Sequence, residues 1–292
     1  MVLLKYDNSR CFNHGITMKK LPTYLCLSLL LVGSLYAHDP IMSYEEYVTI
    51  KHSRPYMYTL LKQDQALFYF GANHSCDSEN EQYQQFDYFW NEFLQCTNGE
   101  NCVVLIEGSL RGKHTTKYDA ISKGGGEGGL LQFYAEQQGI SAICPEADEK
   151  NLQAKLLQYY SDDEVAYRDF AHICMQFHRY CKVNPELAFE KFYKRYTSAV
   201  TLDRMKEIHT QIFGTEFDIY DEQFFYEVSN PVDSKTIVNK VCRTASQIRD
   251  EAIVTCIADL IKQKKNVFIA YGATHAVMQK AAIKSLWDAE EK

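Results

Sequence analysis

Two segments at opposite ends of the chain repeat each other: Phe68-Tyr69-Phe70-Gly71-Ala72-Asn73-His74 and Ile269-Ala270-Tyr271-Gly272-Ala273-Thr274-His275. Each is an apolar run rich in β-forming residues, followed by Gly-Ala-x-His. A continuous apolar run bounded by turn signals reads as a strand buried on both faces, the pattern of a parallel sheet. The Gly is expected to permit a sharp exit from the strand. The His then falls just beyond the strand's carboxyl end, near the start of the next helix. Open α/β sheets bind ligands at the carboxyl ends of their strands, so two histidines delivered there by one device are expected to share a site. Neutral imidazoles act in such places as metal ligands or general bases.

The remaining pattern extends this reading. Residues 43–62 read as a helix interrupted at Pro55, followed by a strand over Leu67–Phe70 and an aromatic-rich helix over Glu81–Leu94. Cys102–Ile106 is a second buried strand, ending at Glu107-Gly108. A Gly-rich stretch with Gly124-Gly125-Gly126-Glu127-Gly128-Gly129 at its centre precedes a helix over Leu130–Gln138, and Ile140–Cys144 is a short strand ending at Pro145-Glu146. From about residue 150 to 230 strand signals vanish and aromatic-rich helical segments take over. Ser234–Lys262 reads as one long helix with Ser234 as a candidate N-cap, before a last strand (Asn266–Tyr271) and a last helix (Ala276–Trp287). The expected fold is α/β: a mostly parallel central sheet flanked by helices, with a helical insert or cap.

The start of the chain reads as a secretory signal over residues 1–37. Lys19 and Lys20 precede the apolar run Leu25–Gly33, and Ala37 offers a small residue at a cleavage site. Met18 directly precedes the two lysines and marks an alternative start. The run is short for a membrane span, so a secreted or periplasmic protein with no stable span after cleavage is expected, one domain covering 38–292. A net charge of −7 without a Lys/Arg cluster argues against nucleic acid as a partner. Of ten cysteines, Cys11 and Cys26 precede the expected cut, and the remaining eight point to disulfides in an oxidising compartment. Cys96 with Cys102, Cys174 with Cys181 and Cys242 with Cys256 are local candidates. The second pair requires a helix end near Tyr180, because seven residues of helix separate cysteines by roughly 10 Å.

Chemistry concentrates at the strand ends. Glu107 directly follows a buried strand, where an ionised carboxylate needs a partner or a metal. Glu146 repeats that position after a shorter strand, and Glu127 lies in the Gly-rich segment, which lacks the Gly-Lys-Ser/Thr of a P-loop. Arg249 is a candidate clamp for a carbonyl or carboxylate, against the ordinary alternative of a solvated ion pair. Cys76 is a weak candidate nucleophile. His172, His178 and His209 sit on aromatic-rich helices without carboxylate partners at metal-like spacing and read as structural. There is no HExxH and no Gly-x-Ser-x-Gly elbow.

Taken together, a Gly-x-x-His after an early strand, a Glu ending a later strand, an Arg-Asp-Glu helix and a second Gly-x-x-His after the last strand resemble the TraB/Tiki family. That family belongs to a superfamily with erythromycin esterases and ChaN haem-binding proteins. The match covers about Leu67–Glu107 and Arg249–Leu286, while the Gly-rich Glu127 segment and the many cysteines depart from the Tiki pattern. The resemblance implies a divalent metal ion held by His74, His275 and Glu107, with Arg249 nearby. The implied activity is hydrolysis of a peptide or ester bond in a peptide or small-molecule substrate, with Glu127 or Glu146 completing the ligands or acting as base. The alternative it implies is a haem- or metal-binding surface protein of the ChaN type without catalysis. A third is a degenerate hydrolase fold used for protein contact.

Overall fold

The two repeated segments become neighbouring central strands of a five-stranded sheet in the computed structural model, which describes residues 39–146, 148–181, 186–196 and 200–290. The signal-peptide reading of residues 1–37, including Met18, Lys19, Lys20, Cys11 and Cys26, lies outside the described residues. In chain order the elements are α1 (Tyr44–Tyr47), β1 (Tyr56–Leu61), β2 (Ala66–Ala72), α2 (Gln82–Thr97), β3 (Cys102–Ile106), α3 (Lys117–Ser122), α4 (Glu127–Gln137) and β4 (Ser141–Ile143). Then follow α5 (Glu149–Leu156), α6 (Asp162–Cys181), α7 (Phe189–Tyr196), α8 (Leu202–Phe213), α9 (Glu222–Val228), α10 (Ile237–Lys262), β5 (Asn266–Gly272) and α11 (Ala273–Ala289). The strand order is β1-β2-β5-β3-β4. β2, β5, β3 and β4 run parallel, and β1 is an antiparallel edge. The fold is α/β, with a mostly parallel sheet and flanking helices.

Both faces of the sheet are covered, which is why β2 and β5 are buried at every position. On one face Phe68, Phe70, Val104 and Phe268 pack against Phe86, Phe89, Trp90 and Phe93 of α2 and Leu130 and Leu131 of α4. Phe268 lies at the centre of this aromatic group, with ring centroids 5.3–6.4 Å from Phe68, Phe86, Phe89, Trp90 and Phe93. Truncating such a ring to Ala costs about 3–5 kcal/mol. On the other face Leu67, Tyr69, Leu105, Val267 and Ile269 meet Ile253, Ile257 and Ile261 of α10 and Ile283 and Trp287 of α11. The helices between α6 and α9 enclose an aromatic core of their own, including Phe170, Phe177, Phe189, Phe192 and Phe225. A smaller cluster of Leu152, Leu156, Val165, Val241, Ala245 and Ile248 fastens α5 and α6 to α10.

Three expectations are corrected. The segment 43–62 is not one helix. A capping box between Ser43 and Glu46 starts a single turn, and Tyr56–Leu61 forms β1, where Tyr56, Tyr58 and Leu60 face the core with period two. The long helix is capped by Thr236, not Ser234, through a reciprocal box with Asn239. The expected disulfides are not formed: Cys76, Cys96, Cys102, Cys144, Cys174, Cys181, Cys242 and Cys256 are free thiols. Two of the local pairings are excluded by geometry, since α6 carries both Cys174 and Cys181, and α10 carries both Cys242 and Cys256. Cys102 Sγ instead meets Thr97 Oγ1 at 3.4 Å and the Glu100 carbonyl at 3.2 Å. Among the described residues no helix is long and apolar enough to cross a membrane.

Candidate metal centre

All four parallel strands deliver a polar side chain just past their carboxyl ends: His74 after β2, Glu107 after β3, Glu146 after β4 and His275 in the first turn of α11 after β5. α10 adds Arg249 and Asp250, and Glu127 is the first residue of α4.

The two glycines of the repeats serve a purpose other than the expected one. Gly272 has φ −57°, a conformation open to any residue, and Gly71 is likewise outside the left-handed region. What they supply is room. A Cβ on Gly272 would stand 2.7 Å from His74 Nε2, and one on Gly71 would stand 2.7 Å from both Ala276 Cβ and the Tyr56 carbonyl. Gly272 thus makes space for the histidine of the other repeat, and Gly71 makes space for β1 and the first turn of α11, where Ala273 Cα would stand 3.0 Å from a Cβ. Ala72 pairs with Gly272 across the β2–β5 ladder, and this register sets the contact. The Gly-rich segment has a related cause. Gly128 and Gly129 begin α4 rather than a loop, because a Cβ there would meet Arg111 Nη2 at 2.9 Å and the Ala120 carbonyl at 2.2 Å.

His74 sits between two carboxylates. Its Nδ1 is hydrogen-bonded to Glu127 Oε1, and its Nε2 lies 3.5 Å from Glu107 Oε2. The Glu127 charge, joined by that of Glu107 and opposed by burial, raises the pKa of His74 to about 9. Burial alone would raise Glu107, yet His74, His275, Arg249 and the Gly272 N–H at 2.8 Å hold it far below the usual carboxylate range. Gly272 is the N-cap of α11, so a helix N-terminus faces this carboxylate. His74, Glu107 and Glu127 each offer a ligand atom, and these atoms all lie within 4.8 Å of one another.

His275 is built differently. It is buried, its Nδ1 is 2.6 Å from Asp250 Oδ1, and its Nε2 is 3.8 Å from Glu107 Oε1. Burial pushes its pKa down, but the Asp250 charge and hydrogen bond prevail and leave it raised. Asp250 is wholly buried, and it accepts a second hydrogen bond from Gln279 Nε2 at 2.6 Å. Tyr69 donates to Gln279 Oε1 at 2.8 Å, so a buried chain runs from Tyr69 through Gln279 and Asp250 to His275.

Arg249 is engaged by carboxylates on two strands. Its Nη2 donates to Glu107 Oε1 at 3.1 Å and Glu146 Oε1 at 2.9 Å, and its Nε lies 2.9 Å from Glu146 Oε2. Glu146 Oε1 also accepts the Gly108 N–H at 2.6 Å, which closes the exit of β3. Arg111 donates to the carbonyls of Glu107 and Gly124, while Gln132 grips the Arg111 backbone from both sides. Gln82 grips the Asn73 backbone in the same two-sided way and fixes the residue before His74.

All the residues singled out from the sequence as site candidates therefore gather at one edge of the sheet. His275 stands outside the three-residue ligand group, on the far side of Glu107. Glu146 is bound to Arg249 and the backbone. His178 and His209 are structural: His178 Nε2 meets the Ile219 carbonyl, and His209 is held between Tyr167 and Thr215. Burial and the Glu127 charge raise the Cys76 thiol, which opposes thiolate formation. Sequence reasoning missed Asp250, Gln279, Tyr69, Arg111 and His172. Asp250 lay next to a residue already singled out, but the partners it meets are separated from it by 25 and 29 positions. His172 lies on α6, and burial followed by the charges of Arg168, Arg249 and Arg179 lowers its pKa to about 3. No protein-family model, no curated protein and no solved structure matches this chain.

Proposed function

We propose that this protein is an exported, metal-dependent hydrolase of peptide or ester bonds, of the TraB/Tiki type. One observation carries the reading: Glu127 Oε2 is buried without a hydrogen-bond partner inside the His74–Glu107–Glu127 group. An orphaned carboxylate oxygen is costly, and a divalent cation supplies the partner it lacks. The charge balance supports the same reading. Four carboxylates (Glu107, Glu127, Glu146, Asp250) gather at this edge; Arg249 pairs with Glu107 and Glu146, and the charges of Glu107, Glu127 and Asp250 raise the two imidazoles, so the edge favours added positive charge. One nitrogen and two carboxylate donors suit a borderline-to-hard divalent ion.

In this reading His74, Glu107 and Glu127 would hold the ion, which would supply Lewis-acid polarisation of a substrate carbonyl. His275 carries the proton at Nε2. Asp250 holds the other ring nitrogen, which fixes tautomer and orientation. Arg249 acts through Glu107 and Glu146, keeping the first turned toward the ligand group; its Nη2, bonded to both glutamates, makes it a positioning residue rather than the direct clamp read from the sequence. Elemental analysis of the purified protein beside the Glu127→Gln variant tests the proposal. Near one metal per chain, lost in the variant and accompanied by divalent-ion-dependent cleavage of peptide or ester substrates, is the expected result. No metal after reloading, with a Soret band on haem titration, would replace it by the ChaN-type binder.

A further inference from the structure

A polar cavity of about 180 Å³ opens beside the strand exit that delivers His74, lined by Arg54, Pro55, Asn73, Asn80, Glu81 and Gln82. Its walls are tied down. Gln82 is buried and spends both ends of its amide on the Asn73 backbone, donating to the carbonyl at 2.8 Å and accepting the N–H at 3.0 Å. Asn80 Oδ1 accepts the Gln82 N–H at 3.1 Å. Arg54 Nη2 donates to the Tyr47 hydroxyl at 3.4 Å, and that hydroxyl also meets His52 Nε2 at 2.8 Å and Thr274 Oγ1 at 3.2 Å. Asn73 and Thr274 are the residues that precede the two histidines of the repeats. The first is a wall of the cavity, and the second shares a hydroxyl with the cavity's cation.

The polar groups of this cavity are not used up by the protein. Among the described residues neither Arg54 nor Glu81 has an ion-pair partner, although opposite charges lining so small a space attract each other. Glu81 is the N-cap of α2, yet its side chain makes no capping bond. The side-chain amide of Asn73 and the Nδ2 of Asn80 likewise have no hydrogen-bond partner among the described residues. Arg54 and the two carboxamides therefore offer N–H donors, while Glu81 and Asn73 Oδ1 offer acceptors. A carboxylate here would meet Arg54 but be repelled by Glu81, and an ammonium would meet the reverse. A neutral group with one acceptor beside one donor satisfies both, and the secondary amide of a peptide is such a group. An ester brings the acceptor alone.

We propose that this cavity is a peptide-binding subsite, in which one backbone amide of the substrate sits between Arg54 and Glu81 while a neighbouring part of the same chain reaches the His74–Glu107–Glu127 group. His74 directly follows the cavity wall Asn73. An extended peptide advances about 3.3 Å per residue, so the amide held in the cavity lies about one to three residues from the bond presented to the ligand group. As a statement about substrate, this rests on the hydrolase reading and narrows it to chains that carry peptide groups. As a binding site, it needs neither the metal nor cleavage.

The test is a titration followed by NMR on the side-chain amide signals of Asn73 and Asn80, with a chelator present so that cleavage does not consume the probe. One probe is end-blocked tetra-alanine. The other is end-blocked tetra-lactate, in which esters replace the linking amides. The peptide is expected to move both side-chain signals, and the ester chain to bind about tenfold more weakly, because it leaves Glu81 without a donor. Arg54→Ala and Glu81→Ala should each weaken peptide binding about tenfold, and Glu81→Gln, which keeps an acceptor, should weaken it less. Arg54 and Glu81 are exposed, so the variants are expected to fold, and an unaltered backbone spectrum checks this. Equal binding of the ester chain, unchanged peptide binding in Arg54→Ala or in Glu81→Ala, or no binding of the peptide overturns the proposal. Metal content and cleavage measured without chelator judge the hydrolase reading separately. Peptide binding without metal uptake keeps the subsite and removes the hydrolase, whereas metal uptake and cleavage without an Arg54 effect do the reverse.

Discussion

The sheet edge and the helical cap treat the same side chain in opposite ways. At the edge, the carboxylates around His74 and His275 outweigh burial and raise both pKa values. In the cap, burial lowers His209, and burial together with three arginines lowers His172. Desolvation acts on all four; what separates the pairs is whether carboxylates surround the ring. The edge therefore attracts positive charge, either a proton on its imidazoles or a cation that displaces it, while the cap favours the neutral form of His172 and His209. Within the edge a second contrast appears, since one Gly-Ala-x-His motif ends in a half-exposed ring between two glutamates and the other in a buried ring tied to an aspartate.

Replacing the two edge histidines in turn breaks this contrast most severely. His74→Ala removes a member of the ligand group, and bound metal should fall from near one per chain to near zero, with cleavage lost. His275→Ala should leave the metal in place while cleavage falls about a hundredfold to ten-thousandfold, the range for losing a general acid or base. Elemental analysis and kinetics on the same preparations read both. Metal lost equally from the two variants would make His275 a ligand and collapse the distinction.

The glycines sharpen it at smaller scale. Gly272→Ala places a methyl against the His74 ring, the free end of a side chain, so the ring moves aside at little cost in stability. Metal affinity should fall about tenfold to a hundredfold, as for other changes that misorient a ligand. Gly71→Ala meets backbone at Tyr56 and the Cβ of Ala276, neither of which yields easily. It should cost about 1–3 kcal/mol in denaturant unfolding. The same substitution in the two copies is expected to move different observables. Equal effects on both would remove these two different close approaches as the reason for the glycines.

Much of this was legible in the chain. Continuous apolar runs at 68–70, 102–106 and 266–271 announced parallel strands, and the polar residue after each run announced the edge. The β1 strand was not legible, because the closely spaced tyrosines at 44, 47, 56 and 58 satisfy helical and alternating patterns alike, and only pairing with β2 decides between them. The place of Glu127 beside His74 and Glu107 was legible only as an acid among glycines. What places it is the packing of α4 on Arg111 and Ala120, a contact between segments that no local pattern records. Asp250 was hidden for the same reason: its partners come from the next strand-to-helix exit. His172 lies on the side of α6 opposite the cap's aromatic core, and its relation to the rest of the chain depends on how α6 meets α10.

The smallest predicted effect tests the cap half of the comparison. His209 is almost fully buried, with Tyr167 at 2.6 Å from Nδ1 and Thr215 at 3.1 Å from Nε2, and burial sets its pKa below the ordinary value of 6.5. The unfolded chain takes up a proton as pH falls through 6.5, and the folded chain does not until lower pH. Where the unfolded state binds more protons, stability falls with falling pH. His209 therefore contributes a loss of stability that begins near pH 6.5 on acidification and is absent above it. His172, with a folded value of about 3, acts in the same direction between about pH 6.5 and 3. Urea unfolding of wild type and His209→Gln between pH 5 and 8 should give parallel stabilities above pH 7 and a shallower acid decline in the variant, since glutamine does not titrate. An identical acid decline in both proteins would mean that His209 charges in the folded cap as readily as in the unfolded chain, and the division between a cation-gathering edge and a neutral cap would then rest on His172 alone.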